Sequence, residues 1–180
     1  MNEHSHHALQ RFAAIQQTMH RAPALTMLHI GDEESVIVSG ALQRDSDEPP
    51  VLMTMSIGAV KSARELLRHT PPRPREFELA IEPIEDEITR HHRAVRQPSL
   101  LVTESREIKA IALLAGVPES REMVLSIDAM EGVFSRLAAV IQGQPAHTQG
   151  IPEDNVFAMR LLILREFMHH VHFEKILILT

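Results

Sequence analysis

The sequence contains no cysteine, tryptophan or tyrosine, and these absences limit its chemistry before any motif is considered. Without cysteine, the chain has no disulfide framework, no thiolate zinc site and no cysteine nucleophile. Phenylalanine supplies all of the 3% aromatic content, so the chain lacks the stacking platforms that bind single-stranded nucleic acid. A formal net charge of −6 gives no basic field to attract a phosphate backbone. We therefore expect no nucleic-acid partner.

Long hydrophobic runs are also missing. No stretch reaches the roughly 20 apolar residues of a membrane span, and residues 1–7 have neither the basic nor the apolar region of a secretory signal. We expect a cytoplasmic protein with no membrane partner. The length of 180 residues fits one core. Within it, we separate an N-terminal helix, residues 1–22, from residues 23–180.

Hydrophobic periodicity predicts an α/β fold. Two β-rich runs, 25–30 and 35–40, flank the polar turn Gly31–Glu34 and predict a hairpin. A polar loop, 43–50, leads to a third predicted strand, 51–55. The remaining predictions are helices at 8–20, 57–67, 77–93, 108–115, 128–141 and 154–170, and strands at 99–102 and 176–180. The result is a mixed five-stranded sheet with flanking helices.

Three stretches resemble the exopolyphosphatase / guanosine pentaphosphate phosphatase family, and specifically its second actin-like lobe. Residues 55–66, Met-Ser-Ile-Gly-Ala-Val-Lys-Ser-Ala-Arg-Glu-Leu, are similar to the family's Ser-x-x-x-Gly-Ala-Val-Arg segment and run on into His69-Thr-Pro-Pro72. Residues 125–154 resemble the family's next helix and the proline-plus-acid entry to the following one. Residues 161–178 resemble its last helix and strand. The resemblance covers Thr26 to Thr180 and implies a single actin-like (ribonuclease-H-like) lobe for residues 23–180.

The resemblance also implies where a phosphorylated ligand would bind. The family's Asp-Ile-Gly-Gly-Gly-Ser loop corresponds to His29–Glu34, and its Gly-x-Gly-Gly-Thr loop to Thr103–Glu107. By family position, the ligand-binding residues are Gly31, Asp32, Glu33, Glu34 and Arg106. Glycines let backbone N–H groups approach a phosphate closely, whereas carboxylates at these positions repel it.

Two interpretations of these loops stay open. In one, Arg106 grips an anion by its bidentate fork, and the turn carboxylates hold Mg²⁺ through hard oxygen ligands. In the other, the turn is a solvated acidic hairpin, and residues 103–107 are a helix start with acids in its first turn. No cofactor is assigned beyond this Mg²⁺ interpretation.

The family's catalysis needs a cleft between two lobes and a glutamate base from the first lobe. This chain has no residues for that lobe, so we assign no catalytic residue and leave open whether it is an enzyme. Our leading hypothesis is a pseudoenzyme, a degenerate lobe that acts in binding or assembly. The alternative is a polyphosphate or guanosine pentaphosphate phosphatase completed by a partner chain. The chain stops on an apolar strand, from which we expect a truncated protein, a decayed gene, or a strand covered by a partner.

Other charged clusters admit simpler interpretations. The histidines of residues 169–172 fit either a transition-metal site or the favourable dipole at a helix end. The acids of residues 82–86 are interpreted as a solvated face, and Glu87 with His91 as a surface ion pair. We therefore assign no metal site. Helix 157–170, apolar nearly all round, should be buried in the core or in a homo-oligomer or protein-partner interface.

Overall fold

A computed structural model of the chain describes residues 3–19, 22–42 and 48–179, with side chains from residue 6 onward. Most of the predicted polar loop 43–50 lies outside these residues. The elements follow in the order α1 (Glu3–Thr18), β1 (Ala24–Ile30), β2 (Ser35–Ala41), β3 (Val51–Met55), α2 (Ala59–Leu66), α3 (Pro74–His91), a 3₁₀ turn (His92–Ala94), β4 (Leu100–Thr103), α4 (Arg106–Leu114), β5 (Glu122–Ser126), α5 (Ile127–Ile141), α6 (Ala146–Gln149), α7 (Asn155–His170) and β6 (Lys175–Leu179).

The described strands form one mixed sheet in the order β3-β2-β1-β4-β6-β5. The meander β1–β2–β3 is antiparallel, as the hairpin signal predicted. Strands β4 and β6 join it in parallel, and β5 pairs antiparallel with β6. The sheet therefore has six strands, and the prediction of five strands is wrong by one.

The missed strand is β5. Met123 and Leu125 are buried while the residues beside them are exposed, which is the alternation of a strand with one covered face. The segment is only five residues long and ends at Ser126, whose hydroxyl caps α5 by accepting the Ala129 N–H at 3.2 Å. Because β5 leads directly into the capped start of α5, the sequence there was interpreted only as the beginning of a helix.

Each face of the sheet supports a hydrophobic cluster. On one face, strand residues such as Leu28, Ile37 and Ile176 pack against α2 to α7. On the other face, Phe12 and Ile15 of α1 pack against β1, β2 and β4. Phe12 is 1% exposed, so α1 supplies part of the core.

Helix α7 lies inside the first cluster, packed against α2, α3 and α5. Its apolar residues are buried from Ala158 through Met168, which explains why the sequence is apolar nearly all round. Strand β6 lies between β4 and β5. Both elements are therefore covered by their own chain. In the part of the chain that the structure describes, no helix has the length and apolarity needed to cross a membrane.

Candidate functional site

The turn between β1 and β2 lies against the start of α2. The Gly31 carbonyl accepts the Ala59 N–H at 2.8 Å, and the Asp32 carbonyl accepts the N–H groups of Val60 and Lys61 at 3.0 Å each. The first N–H groups of a helix have no partner within the helix, and they attract an anion for that reason. Here backbone carbonyls satisfy them, so the α2 N-terminus is already capped.

Gly58 permits the close approach of the turn to α2, and Gly31 permits the turn itself. A Cβ added at Gly58 would lie 2.5 Å from the carbonyl carbon of Asp32 and closer still to its oxygen. A Cβ added at Gly31 would lie 2.5 Å from the Glu34 oxygen, which accepts the Gly31 N–H at 3.1 Å. Gly31 is therefore required for the turn itself, apart from any ligand.

The two leading acids of the turn both face arginines. Arg64 donates two parallel hydrogen bonds of 3.2 Å to Glu33, and this contact lowers the pKa of the Glu33 carboxyl. Asp32 pairs with Arg160 of α7 at 3.3 Å. The Glu33 and Asp32 side chains are exposed, so these pairs are weak individually. They engage two of the three carboxylates that the sequence offered to Mg²⁺, so a magnesium ion at the turn would have to compete with Arg64 and Arg160. The magnesium interpretation stays a prediction.

The start of α4 is capped by its own side chains. Ser105 accepts the Ile108 N–H at 3.2 Å and donates its hydroxyl to Glu107 Oε2 at 2.7 Å. The Ser105 bond is the main cause of a lowered pKa at the Glu107 carboxyl, helped by the Glu107 backbone N–H and by the charge of Arg160. A carboxylate of the chain thus occupies the helix N-terminus where an external anion would bind.

A cleft of about 800 Å³ joins the turn, the start of α4 and α7. It brings together all five residues that the resemblance assigned to a ligand: Gly31, Asp32, Glu33, Glu34 and Arg106. Whether they bind one stays a prediction. The remaining charged groups of the lining are Arg11, Glu104, Glu107 and Arg160, together with two histidines. Five carboxylates therefore face three guanidinium groups, which disfavours a phosphate.

Arg160 is a charged residue of the cleft that sequence reasoning missed. Its side chain is 12% exposed, and its Nε is buried with no hydrogen-bond partner among the described residues. The signal was present, because a single arginine stands between Met159 and the run Leu161–Leu164 of a helix that is otherwise apolar there. An arginine among buried apolar residues needs a negatively charged partner.

Glu87 also departs from its predicted role. It is 7% exposed, and it accepts the Ser56 N–H at 2.7 Å and Arg90 at 2.6 Å. His91 instead contacts the Glu87 backbone oxygen at 2.9 Å. The predicted Glu87–His91 surface ion pair is therefore wrong, since α3 turns Glu87 inward towards the end of β3.

No protein-family model matches the sequence, and no curated protein matches it either. Solved structures do. The crystal structure of the Ppx/GppA family member from Aquifex aeolicus matches with a TM-score of 0.72 at 13% identity, covering 97% of this chain and 57% of that one. An exopolyphosphatase from Cytophaga hutchinsonii matches with a TM-score of 0.70 at 13% identity, covering 94% and 57%. An exopolyphosphatase-like protein matches with a TM-score of 0.60 at 17% identity, covering 83% and 50%.

These likenesses concern the fold. They confirm the predicted resemblance to exopolyphosphatase / guanosine pentaphosphate phosphatase structures and the predicted α/β lobe with a mixed sheet and flanking helices. The chain spans little more than half the length of the solved chains it matches. That share is consistent with one lobe of a two-lobe molecule.

Proposed function

We propose that this chain is an exopolyphosphatase-like lobe that acts by binding or assembly and does not hydrolyse phosphate compounds on its own. One observation carries the proposal: Glu107 fills the N-terminus of α4 and hydrogen-bonds its cap, Ser105, at 2.7 Å. An external phosphate would have to displace this carboxylate and then face the acids of the β1–β2 turn. Like charges about 4 Å apart repel by about 4 kcal/mol at the effective dielectric of a protein surface.

Thermal unfolding with and without ligand tests this proposal. A ligand at about 100 times its Kd stabilises the native state by about 2.7 kcal/mol, which is seen as a higher midpoint. We expect no midpoint shift when polyphosphate, guanosine pentaphosphate or ATP is added with magnesium. A saturable shift with any of them would contradict the proposal.

Glu107→Ala makes the test sharper. Removing the carboxylate exposes the α4 N-terminus beside Arg160, so this variant should gain a polyphosphate-dependent shift that the wild type lacks. Glu119→Ala is the matched control, because Glu119 is an exposed carboxylate that pairs with Lys109 outside the cleft. A shift shared by both variants would reflect the change in net charge and would count against occupation by Glu107.

The alternative function is a phosphatase completed by a partner chain that supplies the first lobe. The observation in its favour is Arg160, whose buried Nε has no hydrogen-bond partner among the described residues and which lines the cleft. An anion in the cleft would satisfy that donor. A midpoint shift in the wild type that disappears in Arg160→Met would favour this alternative.

Assembly requires an exposed surface, and α7 and β6, which the sequence suggested, are covered. The outer strands of the described sheet are β3 and β5, on which Val51 is 42% and Val124 is 49% exposed. Light scattering over a wide concentration range tests self-association. A mass that rises with concentration and returns to that of a monomer in Val124→Lys would support assembly through β5. A constant monomer would remove the homo-oligomer part of the proposal.

A further inference from the structure

A second cluster of charged side chains lies between α3 and α7, away from the cleft. Glu85 comes from α3, and Glu166 and His170 come from consecutive turns of α7. The His170 Nε2 lies 3.4 Å from Glu85 Oε1 and 3.5 Å from Glu166 Oε2. One ligand atom from each of the three residues lies within 4.8 Å of the other two. Two carboxylate oxygens and an imidazole nitrogen form a donor set that suits a divalent transition metal.

The separations resemble those of metal ligands more than those of hydrogen bonds. Protein N–H···O bonds measure about 2.7–3.2 Å, and one Nε2 proton cannot serve two acceptors well. Zinc bonds to nitrogen and oxygen are about 2.0–2.1 Å long, so two ligands of a tetrahedral zinc ion lie about 3.3–3.4 Å apart. His169, the neighbouring residue, is a contrast within the same helix end, because its Nε2 lies at hydrogen-bond distance, 2.5 Å, from Glu131.

The surroundings of Glu166 also suit a ligand. Its side chain is 3% exposed, and the charge of Arg165 compensates one of its two oxygens and leaves the other for a ligand. Arg165 Nη1 contacts Glu166 Oε1 at 2.6 Å, while Oε2 is directed to His170. The Arg165 guanidinium also forms an ion pair with Glu131 at 2.8 Å and lies 4.5 Å over the Phe134 ring. Carboxylates that bind metals are characteristically held by such outer hydrogen bonds.

We propose that Glu85, Glu166 and His170 bind a zinc ion that fastens the end of α7 to α3, with water as a fourth ligand. Its two α7 ligands lie six and ten residues from Arg160, about 9 and 15 Å at the rise of an α-helix, and none of the three ligands lines the cleft. The sequence interpretation passed over it because Glu85 belonged to a run of acids, residues 82–86, that was assigned to solvent.

Zinc titration of purified full-length chain tests the proposal, by calorimetry and by thermal unfolding. All variants carry His4→Ala, His6→Ala and His7→Ala, because these N-terminal histidines could chelate zinc adventitiously. This background protein should bind one zinc ion, and its unfolding midpoint should rise by about 5–11 °C at free zinc about 100 times the Kd. Absence of saturable binding would overturn the proposal.

Point variants assign the ligands. His170→Ala should weaken zinc binding more than about 100-fold, which exceeds the loss caused by removing an outer partner of a ligand. His169→Ala is the matched control: it reaches the site only through Glu131 and Arg165, so it should weaken zinc binding by less than about 10-fold. Glu85→Gln, at a half-exposed position, provides a second ligand variant even if replacing the buried Glu166 prevents folding. Equal affinities in His170→Ala and His169→Ala would overturn the assignment.

Discussion

Gly58→Ala probes the contact that organises the cleft, where the β1–β2 turn lies against the start of α2. Gly58 has a φ of −133°, an angle that alanine adopts freely, so the backbone conformation is not the obstacle. The obstacle is space, because the new Cβ would lie 2.5 Å from the carbonyl carbon of Asp32. That neighbour is backbone, which cannot rotate away, so the turn has to move off the helix.

The size of the effect follows from what the movement breaks. Three N–H groups of α2 donate to the Gly31 and Asp32 carbonyls at 2.8–3.0 Å. Each such bond contributes about 0.5–1.5 kcal/mol, and an overpacked methyl group alone costs about 1–3 kcal/mol. Movement of the turn relieves the overpacking but breaks the hydrogen bonds, so the two costs do not add in full. We expect a destabilisation of about 2–4 kcal/mol. For a chain of this length, the midpoint would fall by about 4–16 °C.

Urea unfolding followed by circular dichroism measures this change. Gly132→Ala is the control, because Gly132 is exposed on α5 and an added Cβ there meets nothing within 4 Å. Alanine in a helix interior is favoured over glycine by about 1 kcal/mol, so the control should be slightly more stable than the wild type. A Gly58→Ala protein as stable as the wild type would refute the close contact between the turn and α2.

Three further substitutions test other parts of the structure. Phe12→Ala should cost about 3–5 kcal/mol in urea unfolding, because Phe12 is 1% exposed beneath α1; a loss below about 1 kcal/mol would mean that α1 does not pack on the sheet. Ser126→Ala should cost about 1 kcal/mol through the lost cap of α5, whereas Ser135→Ala on the exposed side of the same helix should cost little. The Ser105 hydroxyl lowers the pKa of the Glu107 carboxyl below its usual value, so the stability contributed by this group is complete above the usual glutamate pKa and is lost as the pH falls through the lowered pKa. Unfolding free energies measured across the acid range should therefore fall less steeply in Glu107→Gln than in wild type, and identical pH profiles would contradict the contact.

The fold was largely predictable because its signals are local. Two β-rich runs around Gly31–Glu34 specify a hairpin, and the apolar period of residues 77–93 specifies a helix, which the structure places at Pro74–His91, without knowledge of the rest of the chain. The strand β5 was not predictable in the same way. Five residues with two buried side chains carry little period, and only pairing with β6, some fifty residues later in the chain, makes them a strand.

The candidate site was also predictable in part. The resemblance named five residues, and the structure places all five in one cleft. They lie together because β1 and β4 are neighbouring parallel strands, so the turn after β1 and the start of α4 after β4 lie at the same edge of the sheet. Pairing across long sequence distances was not accessible. Arg160 contacts Asp32 because α7 passes the β1–β2 turn, and His170 contacts Glu85 because α7 packs against α3. Glu87 turns inward because Ser56 offers it an N–H, a contact that no pattern within α3 reveals.

The release of inorganic phosphate from polyphosphate and from guanosine pentaphosphate, with magnesium and the purified chain alone, tests the central claim most directly. The account predicts release at the rate of the buffer, because Glu107 fills the α4 N-terminus and the acids of the turn face the same cleft. Arg160→Met, purified in parallel, distinguishes the chain from a contaminating phosphatase. Release that saturates with substrate and is abolished in Arg160→Met would contradict the account and identify the chain as a working phosphatase.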